Sequence, residues 1–122
     1  MTKTPEEKPR FGLTDKTVEK INNIFKMHPQ IKTALIYGSR AKGNYKNGSD
    51  IDLTLKGEEL SLEILLKVEN ELDELLLPYK IDLSLFQNIE NDEFLNHIER
   101  VGKIFYCYPP TINQNNITVA KQ

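Results

Sequence analysis

Apolar residues recur in two different periods along this chain, and the period switches several times. From Val18 to Phe25 they fall at helical spacing (Val18, Ile21, Ile24, Phe25), predicting a helix that opens after Thr14 and closes before Pro29. Thr14 can cap the free amides of its first turn, with Leu13 and Val18 placed as a hydrophobic staple across the cap. Residues 33–37 (TALIY) form a short apolar run ending at glycine, the pattern of a buried strand. Residues 50–55 (DIDLTL) alternate strictly, which sends Ile51, Leu53 and Leu55 to the core and Asp50, Asp52 and Thr54 to the opposite face. Helical spacing returns with Leu62, Leu65, Leu66, Leu72, Leu75 and Leu76, a broad stripe behind a Ser61 cap and ahead of Pro78. Ile81, Leu83 and Leu85 then alternate with Asp82 and Ser84. A last helix is predicted over Asp92 to Val101, with Phe94, Leu95, Ile98 and Val101 inward and Gly102 at its end. Residues 103–108 (KIFYCY) complete the pattern as a final strand.

This order of elements predicts an α+β fold, a small mixed sheet with helices packed on it. At 122 residues the chain fits one domain, placed at residues 11–108. Residues 1–10, polar and carrying Pro5 and Pro9, read as a flexible lead-in, and residues 109–122, rich in Asn and Gln, as a flexible tail. Apolar residues at 39% allow a real core. Sixteen basic against 18 acidic side chains leave a net charge of -2, which does not advertise a nucleic-acid face. The lone Cys107 excludes an internal disulfide and a cysteine-rich metal site; it reads as a small apolar residue of the last strand. No signal peptide follows Met1, and no run approaches the roughly 20 apolar residues that cross a bilayer, so no membrane role and a cytoplasmic location are expected.

Taken singly, each strand aspartate reads as a solvated outer-face residue. Together they read differently. Asp50 and Asp52 are two apart in one strand, so both carboxylates leave the same face, where like charges repel unless a cation lies between them. Asp82 faces the same polar side if its strand is a neighbour, and three oxygen ligands with open coordination positions suit Mg²⁺. Gly38 ends a buried strand without a Cβ to bar a ligand. If residues 39–42 open a short helix, its first amides and Ser39 form an anion site, with Arg40 and Lys42 adding positive charge. His28 and His97 read as ordinary helix residues.

Gly38-Ser39, ten intervening residues, Asp50-Ile51-Asp52-Leu53 and a later Ile81-Asp82-Leu83 resemble the signature of the DNA polymerase beta-like nucleotidyltransferase superfamily. The compact length and the GSRAKG form are most similar to its minimal nucleotidyltransferases, the antitoxin type found beside small helical HEPN-domain proteins. The resemblance implies that Gly38 and Ser39 hold the triphosphate. It assigns Asp50, Asp52 and Asp82 to two Mg²⁺ ions, with Asp82 also a candidate to take the acceptor's proton. It implies transfer of a nucleoside monophosphate, AMP from ATP, to a hydroxyl of a protein partner such as a HEPN tyrosine. A small-molecule enzyme of the antibiotic-modifying kind working as a dimer, and an inactive antitoxin acting by contact, are the alternatives. Larger family members carry a second domain for the acceptor; its lack here implies a partner, in a homodimer or heterotetramer.

Overall fold

The computed structural model describes residues 10–109; the expectations for residues 1–9 and 110–122 lie outside the described residues. The elements follow in the order α1 (Asp15–Lys26), β1 (Thr33–Tyr37), α2 (Gly38–Lys42), β2 (Ile51–Lys56), α3 (Leu62–Asp73), β3 (Ile81–Leu85), α4 (Asp92–Val101) and β4 (Lys103–Cys107), with a 3₁₀ turn at Phe86–Asn88. Caps set the helix starts. Thr14, Ser61 and Asn91 accept from the backbone N–H groups of Thr17, Ile64 and Phe94, satisfying donors that the first turn leaves free.

The four strands lie in the order β3-β2-β1-β4. β1 pairs antiparallel with both β2 and β4, whereas β2 and β3 run parallel. A parallel pair needs a crossover, and α3 supplies it. Ile36 of β1, Leu53 and Leu55 of β2 and Leu83 and Leu85 of β3 share one core with Val18, Ile21 and Phe25 of α1 and Leu65, Val68 and Leu72 of α3. Each such side chain, fully buried, contributes about 1.5–3 kcal/mol. Among the described residues the other face is covered by α4, which packs on β1 and α2 and buries Ile98 outside that main core. The β2–β3 half of this second face carries the strand aspartates.

Four expectations are corrected. The stripe on α3 is narrower than the leucine count implies: Leu62 and Leu66 are 60% and 53% exposed, and the helix stops at Asp73, leaving Leu76 outside it with φ 54° and its side chain in solvent. Leu65, Val68 and Leu72 share the azimuth that is buried against the core, with Ile64 partly buried beside them. Thr54, assigned by alternation to a polar face, is fully buried, because β2 is an inner strand flanked on that face by Leu35 and Ser84. Its hydroxyl is satisfied there: Ser84 Oγ donates to Thr54 Oγ1 at 2.9 Å. Cys107 stands in the edge strand but exposed, and of the four apolar residues of α4 only Ile98 is fully buried.

Candidate active site

Strand register brings the acids together. Asp52 of β2 lies directly opposite Asp82 of β3 in the parallel ladder, and opposite Tyr37 of β1 on its other side. Period-two alternation sends all three side chains to the face that α4 leaves partly open. Asp50 precedes β2 and is exposed; its position is set by the next residue, whose N–H donates to the Lys80 carbonyl at 2.9 Å. The two acidic segments therefore run side by side into the sheet from the same end.

Gly38 stands at the turn from β1 into α2 with φ 75°, a conformation that side chains rarely adopt. A Cβ there would collide with Asp52 Oδ2, so the missing side chain admits the carboxylate. α2 begins at this glycine with no side-chain cap on its first amides, and Gly43, φ 90°, closes it by donating to the Ser39 carbonyl. Ser39 is half-buried in the first turn. Arg40 and Lys42, two apart on a helix, take opposite sides. Lys42 is exposed, whereas Arg40 is only 2% exposed and turns inward. The expectation that Arg40 adds charge at a phosphate does not match this placement: its nitrogens donate to the carbonyls of Phe11, Asn47 and Ser49. Lys42 retains a free ammonium group; it makes no ion pair among the described residues.

Electrostatics follow the geometry. Burial, then the charges of Asp82 and Asp50, push the Asp52 carboxyl above its ordinary value, while Arg40 and Lys80 pull the other way. Tyr37 is pushed up to about 12 by burial and by the negative charges of Asp52 and Asp82, so its phenol stays neutral at any physiological pH. Like charges in this register favour a bound cation. Among the described residues no three acidic, histidine or cysteine side chains enclose a metal ion by themselves. Asp50, Asp52 and Asp82 therefore do not form a three-ligand set on their own.

The sequence matches the family described as Polymerase beta, Nucleotidyltransferase over residues 19–111, which runs from within α1 through β4. The chain belongs to this nucleotidyltransferase family. A Methanocaldococcus jannaschii protein whose assigned name is that of a protein adenylyltransferase is 35% identical over 92 residues, covering 69% of this chain and 93% of the relative. Among solved structures, a toxin–antitoxin complex with AMP-PNP superposes with a TM-score of 0.60 at 17% identity, covering 84% of this chain and 78% of that one. The MntA–HepT toxin–antitoxin gives 0.57 at 15% identity, covering 87% and 79%. A complex of a tri-AMPylated Shewanella oneidensis HEPN toxin with its MNT antitoxin gives 0.52 at 16% identity, covering 84% and 78%. These likenesses establish a shared fold.

In this nucleotidyltransferase the structure thus unites Asp52, Asp82 and Gly38, puts Asp50 and Ser39 beside them, and turns Arg40 inward onto backbone carbonyls. Sequence reasoning missed Tyr37. Its signal was available, since alternation through TALIY puts Leu35 and Tyr37 on the face opposite Ala34 and Ile36. Tyr37 meets Phe94 and His97 of α4 edge-on, at 5.3 and 6.1 Å between ring centroids, and so fastens the covering helix beside the acids. His97 thereby acquires a place at the rim of the site. His28 acquires a structural one, its Nε2 2.7 Å from Glu71 Oε1 between α1 and α3.

Proposed function

We propose that this chain transfers a nucleoside monophosphate, AMP from ATP, to a hydroxyl on a small helical protein partner of the HEPN type, and acts as that partner's antitoxin. The observation that carries the chemistry is the register Asp52↔Asp82 beside the Tyr37–Gly38 turn. Asp50, Asp52 and Asp82 are the residues that would hold Mg²⁺. When bound, the metal neutralises the triphosphate and stabilises the attacking and leaving oxygens of an in-line displacement. Gly38 lets the backbone of α2 approach the triphosphate, and the uncapped amides at Gly38 and Ser39 serve as its donors. Lys42, exposed on the same short helix, is the one cation of GSRAKG left to reach it. Asp82 is exposed on the edge strand β3, which supports a role in taking the hydroxyl's proton. The hydroxyl oxygen bonds to the α-phosphorus as the bond to the pyrophosphate oxygen breaks.

The identity of the partner is supported by the relative named for adenylylating protein and by the toxin–antitoxin complexes that share the fold. It is also supported by the open β2–β3 face, where no element of the described chain positions a nucleophile. Effective molarity in such a reaction comes from whatever holds the nucleophile in line. Incubation with Mg²⁺ and α-labelled ATP, alone and with a small helical HEPN-type protein, tests the reading. The expected result is label on a hydroxyl side chain of that protein, in multiples of one nucleoside monophosphate by mass spectrometry. Rapid labelling of an aminoglycoside or small alcohol by the chain alone would replace the protein acceptor with a small molecule.

A further inference from the structure

Resting on this reading of the acids, we propose that Arg40 is a positioning residue: its buried guanidinium fixes the peptide leading into Asp50 and binds together the segments around it, without touching the triphosphate. Its hydrogen bonds account for the first half. Arg40 Nε and Nη2 both donate to the Ser49 carbonyl, at 3.1 and 2.9 Å, a two-pronged grip that a guanidinium can make and an ammonium cannot. Nη1 donates to the Phe11 carbonyl at 2.9 Å and Nη2 reaches the Asn47 carbonyl at 3.4 Å. The Ser49–Asp50 peptide is planar, so holding the Ser49 carbonyl orients the backbone at which Asp50 begins. On the other side of Asp50, the Ile51 N–H is held by the Lys80 carbonyl. Asp50 lies outside the strand, and these two anchors are what aim it.

The second half follows from burial. Arg40 is 2% exposed and forms no ion pair with a carboxylate among the described residues. Its guanidinium instead lies over the rings of Tyr45 and Tyr79, at 5.2 and 4.9 Å from their centroids. Gly12, with φ 77°, leaves the space that Tyr45 and Arg40 Nη1 fill. Taking an ion out of water costs several kcal/mol unless fixed dipoles or opposite charge replace the solvent. Carbonyls and aromatic faces take that role around Arg40. One side chain thus ties the turn before α1, the loop after α2 and the approach to β3 to the acids.

The test separates grip from charge. Arg40→Lys keeps the cation and loses the two-pronged bond; Arg40→Gln loses both. Calorimetric titration of Mg²⁺ into protein with ATP, and of ATP without metal, is run for each beside thermal melts. In Arg40→Lys the Mg²⁺ requirement for nucleotide binding should rise on the order of tenfold, as for other residues that orient metal ligands, with metal-free ATP binding unchanged. Arg40→Gln should raise it further. An unchanged Mg²⁺ requirement in folded Arg40→Lys overturns the proposal. So does a loss confined to metal-free ATP binding, which would make Arg40 a phosphate ligand. Should both variants fail to fold, Tyr79→Leu, which removes one aromatic face, must raise the Mg²⁺ requirement in the same direction; no change overturns the proposal. A wild-type protein that binds no MgATP overturns the nucleotide reading itself, and this inference with it.

Discussion

Asp52 carries the sharpest consequence of the site's electrostatics. Its carboxyl is raised by burial first and then by Asp82 and Asp50, so the folded protein holds that proton more tightly than the unfolded chain. A group shifted upward contributes stability that is fully present below its unfolded value, near 3.9, and lost as pH rises through the folded value. Metal-free protein should therefore lose stability over that window. Asp52→Asn should flatten the slope, melt at or above wild type at neutral pH, and abolish nucleotide transfer. Thermal melts across pH without metal, beside a labelled-AMP assay, check this; full transfer by Asp52→Asn would remove Asp52 from the site. Gly38 makes a second residue-scale case. Gly38→Ala forces an alanine into the left-handed region, at about 1–2 kcal/mol, and drives its Cβ onto the Asp52 carboxylate. Loss of stability and of MgATP binding together are expected from denaturant melts and calorimetry, since the carboxylate must move.

At the scale of elements, α3 shows how a leucine-rich helix can mislead. Six leucines read as one stripe, yet the sheet receives only the face of Leu65, Val68 and Leu72. Leu62→Ala and Leu66→Ala should change stability by no more than about 0.5 kcal/mol, as surface substitutions do. Leu72→Ala, buried in the core, should cost about 2–5 kcal/mol. Urea melts of the three variants decide whether the observed rotation of the helix is right. Comparable losses at Leu62 and Leu72 would require a different packing.

The whole molecule separates two ends of one sheet. The acids, the Gly38 turn and α2 lie at one end. A cleft of about 710 Å³ lined by Lys32, Lys56, Gly57 and Phe86 lies at the other, at the far ends of β2 and β3. MgATP bound at the acids should slow amide hydrogen exchange in residues 38–43 and 50–53 and leave residues 57–59 unchanged. A ligand of the folded state at 100 times its Kd adds about 2.7 kcal/mol of stability in addition. Protection centred on residues 57–59 would move the nucleotide to that cleft and away from the carboxylates.

Much of this was legible in the residues in order. Caps, periods and breakers placed seven of the eight helices and strands, with α2 read only as a turn able to open a helix, because capping and side-chain direction are local properties that repeat every few residues. The alternation of DIDLTL and IDLSL put each pair of polar positions on one face, and the spacing of Gly38-Ser39, Asp50, Asp52 and Asp82 pointed to the family. Three things needed the tertiary structure. Strand order and the parallel register of β2 with β3 decided that Asp52 meets Asp82, and no local pattern encodes which strands pair. Burial decided Thr54, since an inner strand covers even a polar face. Packing decided Arg40: its charge reads on paper as a phosphate ligand, but the carbonyls of Phe11, Asn47 and Ser49 turn it inward, and these converge only when distant turns of the chain fold around it.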